Sequence, residues 1–149
     1  MNHYQQAELE IKGANGIKVK VKLTNSIDES LVDRGLLEPE QIHFDETEAI
    51  VDRSNVHSAL PMDMVEKLGL DIWRKQVIQF ADGREKVVEF TDPVKFQVGD
   101  REATVETMVA GNEVAIGRVV LELLDMVVDR DRERLIPNPA HPNGPVFKV

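Results

Sequence analysis

The sequence contains no cysteine, which excludes disulfides and thiolate metal sites. Aromatic residues are scarce, with one tryptophan and one tyrosine. The tryptophan, Trp73, is expected to fill core or interface rather than to serve as a ligand platform. Basic charge is in short supply: 18 lysines and arginines stand against 27 acidic residues, a net charge of -9. Phosphate binding needs a basic face, so neither nucleic acid nor an anionic membrane is an expected partner. No apolar run approaches the roughly 20 residues of a membrane span. The polar start, Met1 to Gln6, lacks the apolar run of a secretory signal. The simplest location is the cytoplasm. The four histidines, His3, His43, His57 and His141, include no pair at the i, i+4 spacing of a helical zinc site. No metal and no cofactor are expected.

What remains is an ordinary soluble balance, 42% hydrophobic and 30% charged. A chain of 149 residues fits one domain with a workable core. Residues 1–7 read as a flexible N-terminus and 137–149 as a proline-rich extended tail.

Ile17 to Leu23 alternates apolar residues with three lysines, the period of a strand with one wet face. Glu8 to Lys12 is its expected hairpin partner, with Gly13-Ala14-Asn15-Gly16 as the turn. Thr24 to Glu40 reads as loop. Glu46 to Val51 is the next strand. Pro61 before Met62 to Leu68, and Gly69 after it, bracket a short helix. Ala81-Asp82-Gly83-Arg84 between two extended arms signals a hairpin. Val94, Phe96 and Val98 alternate, as do Ala103, Val105 and Thr107. Ile116, Val119, Val120, Leu123 and Leu124 then fall on one helical stripe. Met126 to Val128 and Leu135-Ile136 are short strands around a charged turn. About eight strands and two short helices give a mostly-β fold, a closed or nearly closed barrel.

One stretch carries the chemistry. Ala49-Ile50-Val51 runs into a lone Asp52, followed by Arg53-Ser54-Asn55. A carboxylate ending an apolar strand needs compensation, because desolvating an unpaired charge costs several kcal/mol. Either Asp52 caps its own loop through the backbone, or it is half of a catalytic carboxylate pair.

The order of elements, with these residues, resembles the retropepsin-like aspartic proteases, in particular their small single-domain bacterial and archaeal members. Ala49 to Ser54 is similar to the family's apolar-apolar-Asp-Thr-Gly active-site loop. Phe80-Ala81-Asp82-Gly83-Arg84 is similar to the flap hairpin that closes over substrate. Ala115-Ile116-Gly117, with Arg118 to Asp125, resembles the apolar-apolar-Gly segment and helix of the second half. Arg134 to Pro139 is like the ending of the smaller members. The resemblance implies a retropepsin-like barrel with a flap. It also implies peptide-bond hydrolysis by two aspartates that share one proton and activate a water. One chain supplies one such loop, so the site requires a homodimer in which the two copies of Asp52 meet at the twofold axis.

The loop departs from that pattern. Arg53 stands where the family has the threonine whose hydroxyl ties the two loops together across the dimer. An arginine only donates and keeps its charge. Two copies near the axis repel unless each pairs with a carboxylate, and a pair with Asp52 would oppose the shared proton. Ser54 replaces the glycine that lets substrate approach, and Asn55 and His57 replace small or hydroxylic residues. The expected function is therefore an aspartic endopeptidase, homodimeric and acting on peptide or protein substrates, with activity weak or lost. The alternative is a non-catalytic module of the same fold that binds a peptide or protein partner. Asp52 is the candidate catalytic residue, and Ser54 and Ser58 lack any nucleophile-elbow context.

Overall fold

In a computed structural model, residues 16–147 are described. The expected strand Glu8 to Lys12, the N-terminus 1–7 and all but the last residue of the first turn lie outside that range.

The described chain is mostly β. In order it forms β1 (Lys18–Asn25), α1 (Ser26–Asp33), a 3-10 turn (Pro39–Gln41), β2 (Phe44–Val51), β3 (Ala59–Leu60) and α2 (Met62–Lys67). Then follow β4 (Ile72–Gln79), β5 (Glu85–Thr91), β6 (Val94–Val98), β7 (Arg101–Val105), β8 (Met108–Val109), β9 (Val114–Ile116), α3 (Arg118–Leu124), β10 (Met126–Asp129) and β11 (Arg134–Pro137). Nine strands share one mixed sheet in the order β4-β5-β8-β3-β9-β2-β1-β6-β7, while β10 and β11 pair separately. The ladder ends at β4 and β7, and no pairing among the described residues closes it.

The period-two signals translate directly into burial. Val21 and Leu23 of β1 face the core, while Lys18 and Lys20 on the opposite face stay exposed. Val94, Phe96 and Val98 of β6 are all buried. The main core gathers Leu23, Val51, Leu60, Phe96, Ile116 and Leu124, each fully buried, so the first core spans β1, β2, β3, β6, β9 and α3. Each such side chain contributes about 1.5–3 kcal/mol relative to exposure. A second cluster joins Val88 and Phe90 of β5 to Ile50, Ala59, Met108, Ala110 and Ala115, with Ile78 of β4 packed against it. It seats the base of the β4–β5 hairpin on the strands that lead into and out of the acidic loop.

Three sequence expectations are corrected. The stretch read as loop from Thr24 contains α1, a third α-helix. No residue of α1 is buried: its short apolar face, Ile27 and Leu31 at i and i+4, stays at least partly exposed. It forms because the Asn25 side chain caps it, accepting from the Asp28 amide at 3.1 Å, with Asp28 and Glu29 in the first turn. Ile116, read as the first residue of the last helical stripe, ends β9 instead, while the helix itself starts beside Gly117 as expected. Trp73 is 53% exposed on β4 and does not fill the core.

The proline-rich tail folds back onto its own chain. Asp125, in the left-handed conformation at the end of α3 (φ 52°), is the anchor. Its carboxylate accepts from Asn138 Nδ2 at 3.0 Å and the Val146 amide at 3.1 Å, and His141 Nδ1 lies 2.5 Å away. Buried Arg101 donates to the Leu124, Asp125 and His141 carbonyls at 3.2, 2.8 and 2.5 Å, tying helix end and tail together. The Asn138 hydrogen bond, helped by Val146 and His141, holds the Asp125 carboxyl down at about 2. A depressed carboxyl stabilises the fold above its ordinary value of 3.8 and loses that contribution as pH falls towards about 2. Hydrogen exchange at the Val146 amide is therefore expected to stay protected at pH 4 and to open towards pH 2. Opening that is already complete above pH 4 would contradict the anchor.

Candidate functional site

Strand β2 delivers Asp52, and strand β9 lies beside it in parallel, with Val51 opposite Ile116. Strand β9 also pairs with β3, so it sits between the two strands that flank residues 52–58. The loop must therefore pass over the end of β9, where α3 begins. It crosses at Gly117. A Cβ there would stand 2.5 Å from the His57 carbonyl oxygen and 3.0 Å from that of Asn55. The backbone angles of Gly117 suit any residue, so the requirement is purely for space.

The crossing also solves a problem of hydrogen bonding. The first amides of a helix have no partner within it. Here the Gly117 amide donates to Ser58 Oγ at 2.9 Å, the Arg118 amide to the Asn55 carbonyl at 2.9 Å, and the Val119 amide to the Val56 carbonyl at 3.2 Å. At the other end of the loop, the Asp52 amide donates to the Ile116 carbonyl at 2.9 Å. Loop and helix start thus form one hydrogen-bonded unit. The structure brings Asp52, Arg53, Ser54 and Asn55 together with Ala115, Ile116 and Gly117.

Asp52 is only 1% exposed. Its Oδ1 accepts from the Ser54 amide at 3.0 Å and from Ser54 Oγ at 2.5 Å, and its Oδ2 accepts from Asn55 Nδ2 at 2.7 Å. These donors, two from backbone and side chain of Ser54 and one from Asn55, offset the desolvation of the carboxylate. Arg53 is exposed, and no ion pair joins it to Asp52 among the described residues. The Ser54 and Asn55 side chains, which depart from the resembled loop, both hold the aspartate.

The hairpin tip, Ala81-Asp82-Gly83-Arg84, is exposed. It is shaped locally. The Phe80 amide donates to the Arg84 carbonyl at 2.8 Å, and Gly83 takes a positive φ of 90°. Arg84 donates to Asp82 through its amide at 3.0 Å and its Nε at 2.6 Å, which lowers the Asp82 carboxyl below its usual range.

Sequence reasoning missed a cavity of about 450 Å³ between the hairpin base and the loop. His57 and Ser58 of the loop, Arg74 of β4, Phe90 of β5, Glu106 and Val119 of α3 help to line it. The Arg74 guanidinium lies 3.9 Å from the Phe90 ring centre and donates to Glu106 at 3.2 Å through Nε. The His57 ring meets Phe90 edge-on at 5.1 Å. These residues lie 17 to 49 positions from His57 in sequence, and no local pattern joins them.

No family model matches the chain, and no curated protein matches it.

Two outcomes are expected. Gly117→Ala should destabilise the protein by about 1–3 kcal/mol in denaturant titration, because the facing atoms are backbone and cannot swing aside. Stability within about 0.5 kcal/mol of wild type would contradict the crossing. His57 should titrate below 6.5, owing to burial first and the Arg74 charge second, with Glu106 opposing. A histidine lowered in this way subtracts stability as pH falls through its unfolded value. Histidine NMR should show Arg74→Gln raising the His57 pKa and Glu106→Gln lowering it; the reverse signs would contradict the arrangement.

Proposed function

We propose that the chain is a retropepsin-like domain that holds peptides in extended form, with peptide-bond hydrolysis weak or lost. The observation that carries the second half is the state of Asp52, 1% exposed and bonded through both carboxylate oxygens to donors of its own loop. A carboxylate that activates water must reach that water and its partner carboxylate. This one serves its loop.

The fold half rests on the order of elements and their placement. The acidic loop and the glycine segment lie side by side on parallel strands. A two-stranded hairpin springs from the sheet beside them, with Val88 in the cluster that holds Ile50 and Ala115 and Ile78 packed against it. In this reading the sheet curls into a nearly closed barrel, the β4–β5 hairpin is the flap, and two subunits place their Asp52 loops at a twofold axis. An extended peptide would bind by strand addition, with main-chain hydrogen bonds for affinity and alternating pockets for specificity. The cavity beside His57 is suited to one such side chain.

The second reading is an active homodimeric aspartic endopeptidase with Asp52 as its catalytic residue. It is favoured by Asp52 standing at the end of a buried strand, beside the glycine segment.

Hydrolysis of a diverse peptide pool from acid to neutral pH separates the two. The wild-type protein is expected to cleave no faster than Asp52→Asn. Arg53→Thr combined with Ser54→Gly removes the Ser54 hydroxyl from Oδ1 and should raise cleavage by about 100-fold. Wild-type cleavage that disappears in Asp52→Asn would overturn the loss of chemistry. No gain in the double variant, from a folded protein, would count against a decayed catalytic loop.

A further inference from the structure

A groove of about 390 Å³ begins at Arg53 and is lined further by Arg118 and Glu122 of α3 and by apolar Leu121, Met126 and Val127. Arg53, Arg118 and Glu122 are exposed, and among the described residues none of them has an ion-pair partner. Val127 is 39% exposed on β10, whose two-stranded sheet stands outside the nine-stranded one. Positive and negative groups therefore share one surface with an apolar lining, and that surface begins one residue from Asp52.

Such a surface complements itself. Under a twofold rotation, residue i of one subunit meets residue j of the other, and j meets i. Glu122 is the carboxylate available for the exchange, since the Asp125 carboxylate is already engaged by Asn138, His141 and Val146.

We propose that this groove receives a second copy of the chain, with Arg53 of each subunit paired to Glu122 of the partner subunit. The proposal rests on the homodimeric reading above and deepens it. Two arginines beside a twofold axis repel when left alone. Pairing each with a carboxylate of the other subunit turns that repulsion into a reciprocal tie, in place of a hydroxyl bridge between the loops. The apolar lining shields the pair from water and strengthens it.

The test is a charge swap read by sedimentation equilibrium. Wild-type protein is expected to be dimeric. Arg53→Glu and Glu122→Arg should each weaken the homodimer by at least about tenfold, because each sets like charges opposite one another at both contacts. An equimolar mixture of the two variants should dimerise again, since the mixed dimer has opposite charges at both contacts. The double variant should also recover. Both residues are exposed, so the far-UV circular dichroism of each variant should match wild type. A wild-type dimer that neither single variant weakens would overturn the pair and leave the homodimeric reading standing. A strictly monomeric wild type would overturn both.

Discussion

The loop from Asp52 to Ser58 closes because residue 117 has no side chain. Strand β9 is inserted between the strands on either side of that loop, so the loop crosses over Gly117, the residue that caps the start of the last helix. A single methyl group there would meet a carbonyl oxygen at 2.5 Å. Once the crossing is made, loop carbonyls and the Ser58 hydroxyl satisfy amides that the helix leaves unpaired, and β9 hands its Ile116 carbonyl to Asp52. The position of the aspartate, the start of α3 and the seating of the hairpin on Ile50 all follow from this one steric allowance.

The same geometry sets what surrounds the aspartate. A short loop pulled over a helix end needs its own internal ties, and Asp52 provides them by accepting from Ser54 and Asn55. Each oxygen accepts from a donor of the loop, and the side chain is only 1% exposed. Among the described residues, the serine and asparagine that depart from the resembled loop are donors to it. Arg53, at the position before Ser54, is exposed and keeps its charge at the surface.

Much of the fold was legible from periodicity. The β1 alternation, the Asp82-Gly83 hairpin, and the helix bracketed by Pro61 and Gly69 each express a local rule. Helix α1 was not legible because its stability comes from the Asn25 cap, with no buried stripe to betray it. Strands β3, β8 and β9 escaped notice because two or three residues carry no period, and their partners are distant in the chain. For the same reason the tail's attachment was hidden. It depends on buried Arg101 reaching from β7 to the end of α3, a contact 23 residues long in sequence. At the site, the acidic loop and the Ala115-Ile116-Gly117 segment were each legible as motifs, but not the crossing of one over the other, which depends on β9 lying between β2 and β3. The cavity shared by His57, Arg74 and Phe90 was not legible, because it is assembled from a loop and two strands of a hairpin that only the fold brings together.

Asp52 is closed off from solvent by the fold. Carbodiimide-driven amide labelling of carboxylates in the native protein, read residue by residue by mass spectrometry, tests this most directly. Asp52 is expected to stay unmodified while exposed Asp82 is labelled, and to react only once the protein is unfolded. Labelling of Asp52 in the native state at the rate of Asp82 would show an open carboxylate and contradict the account.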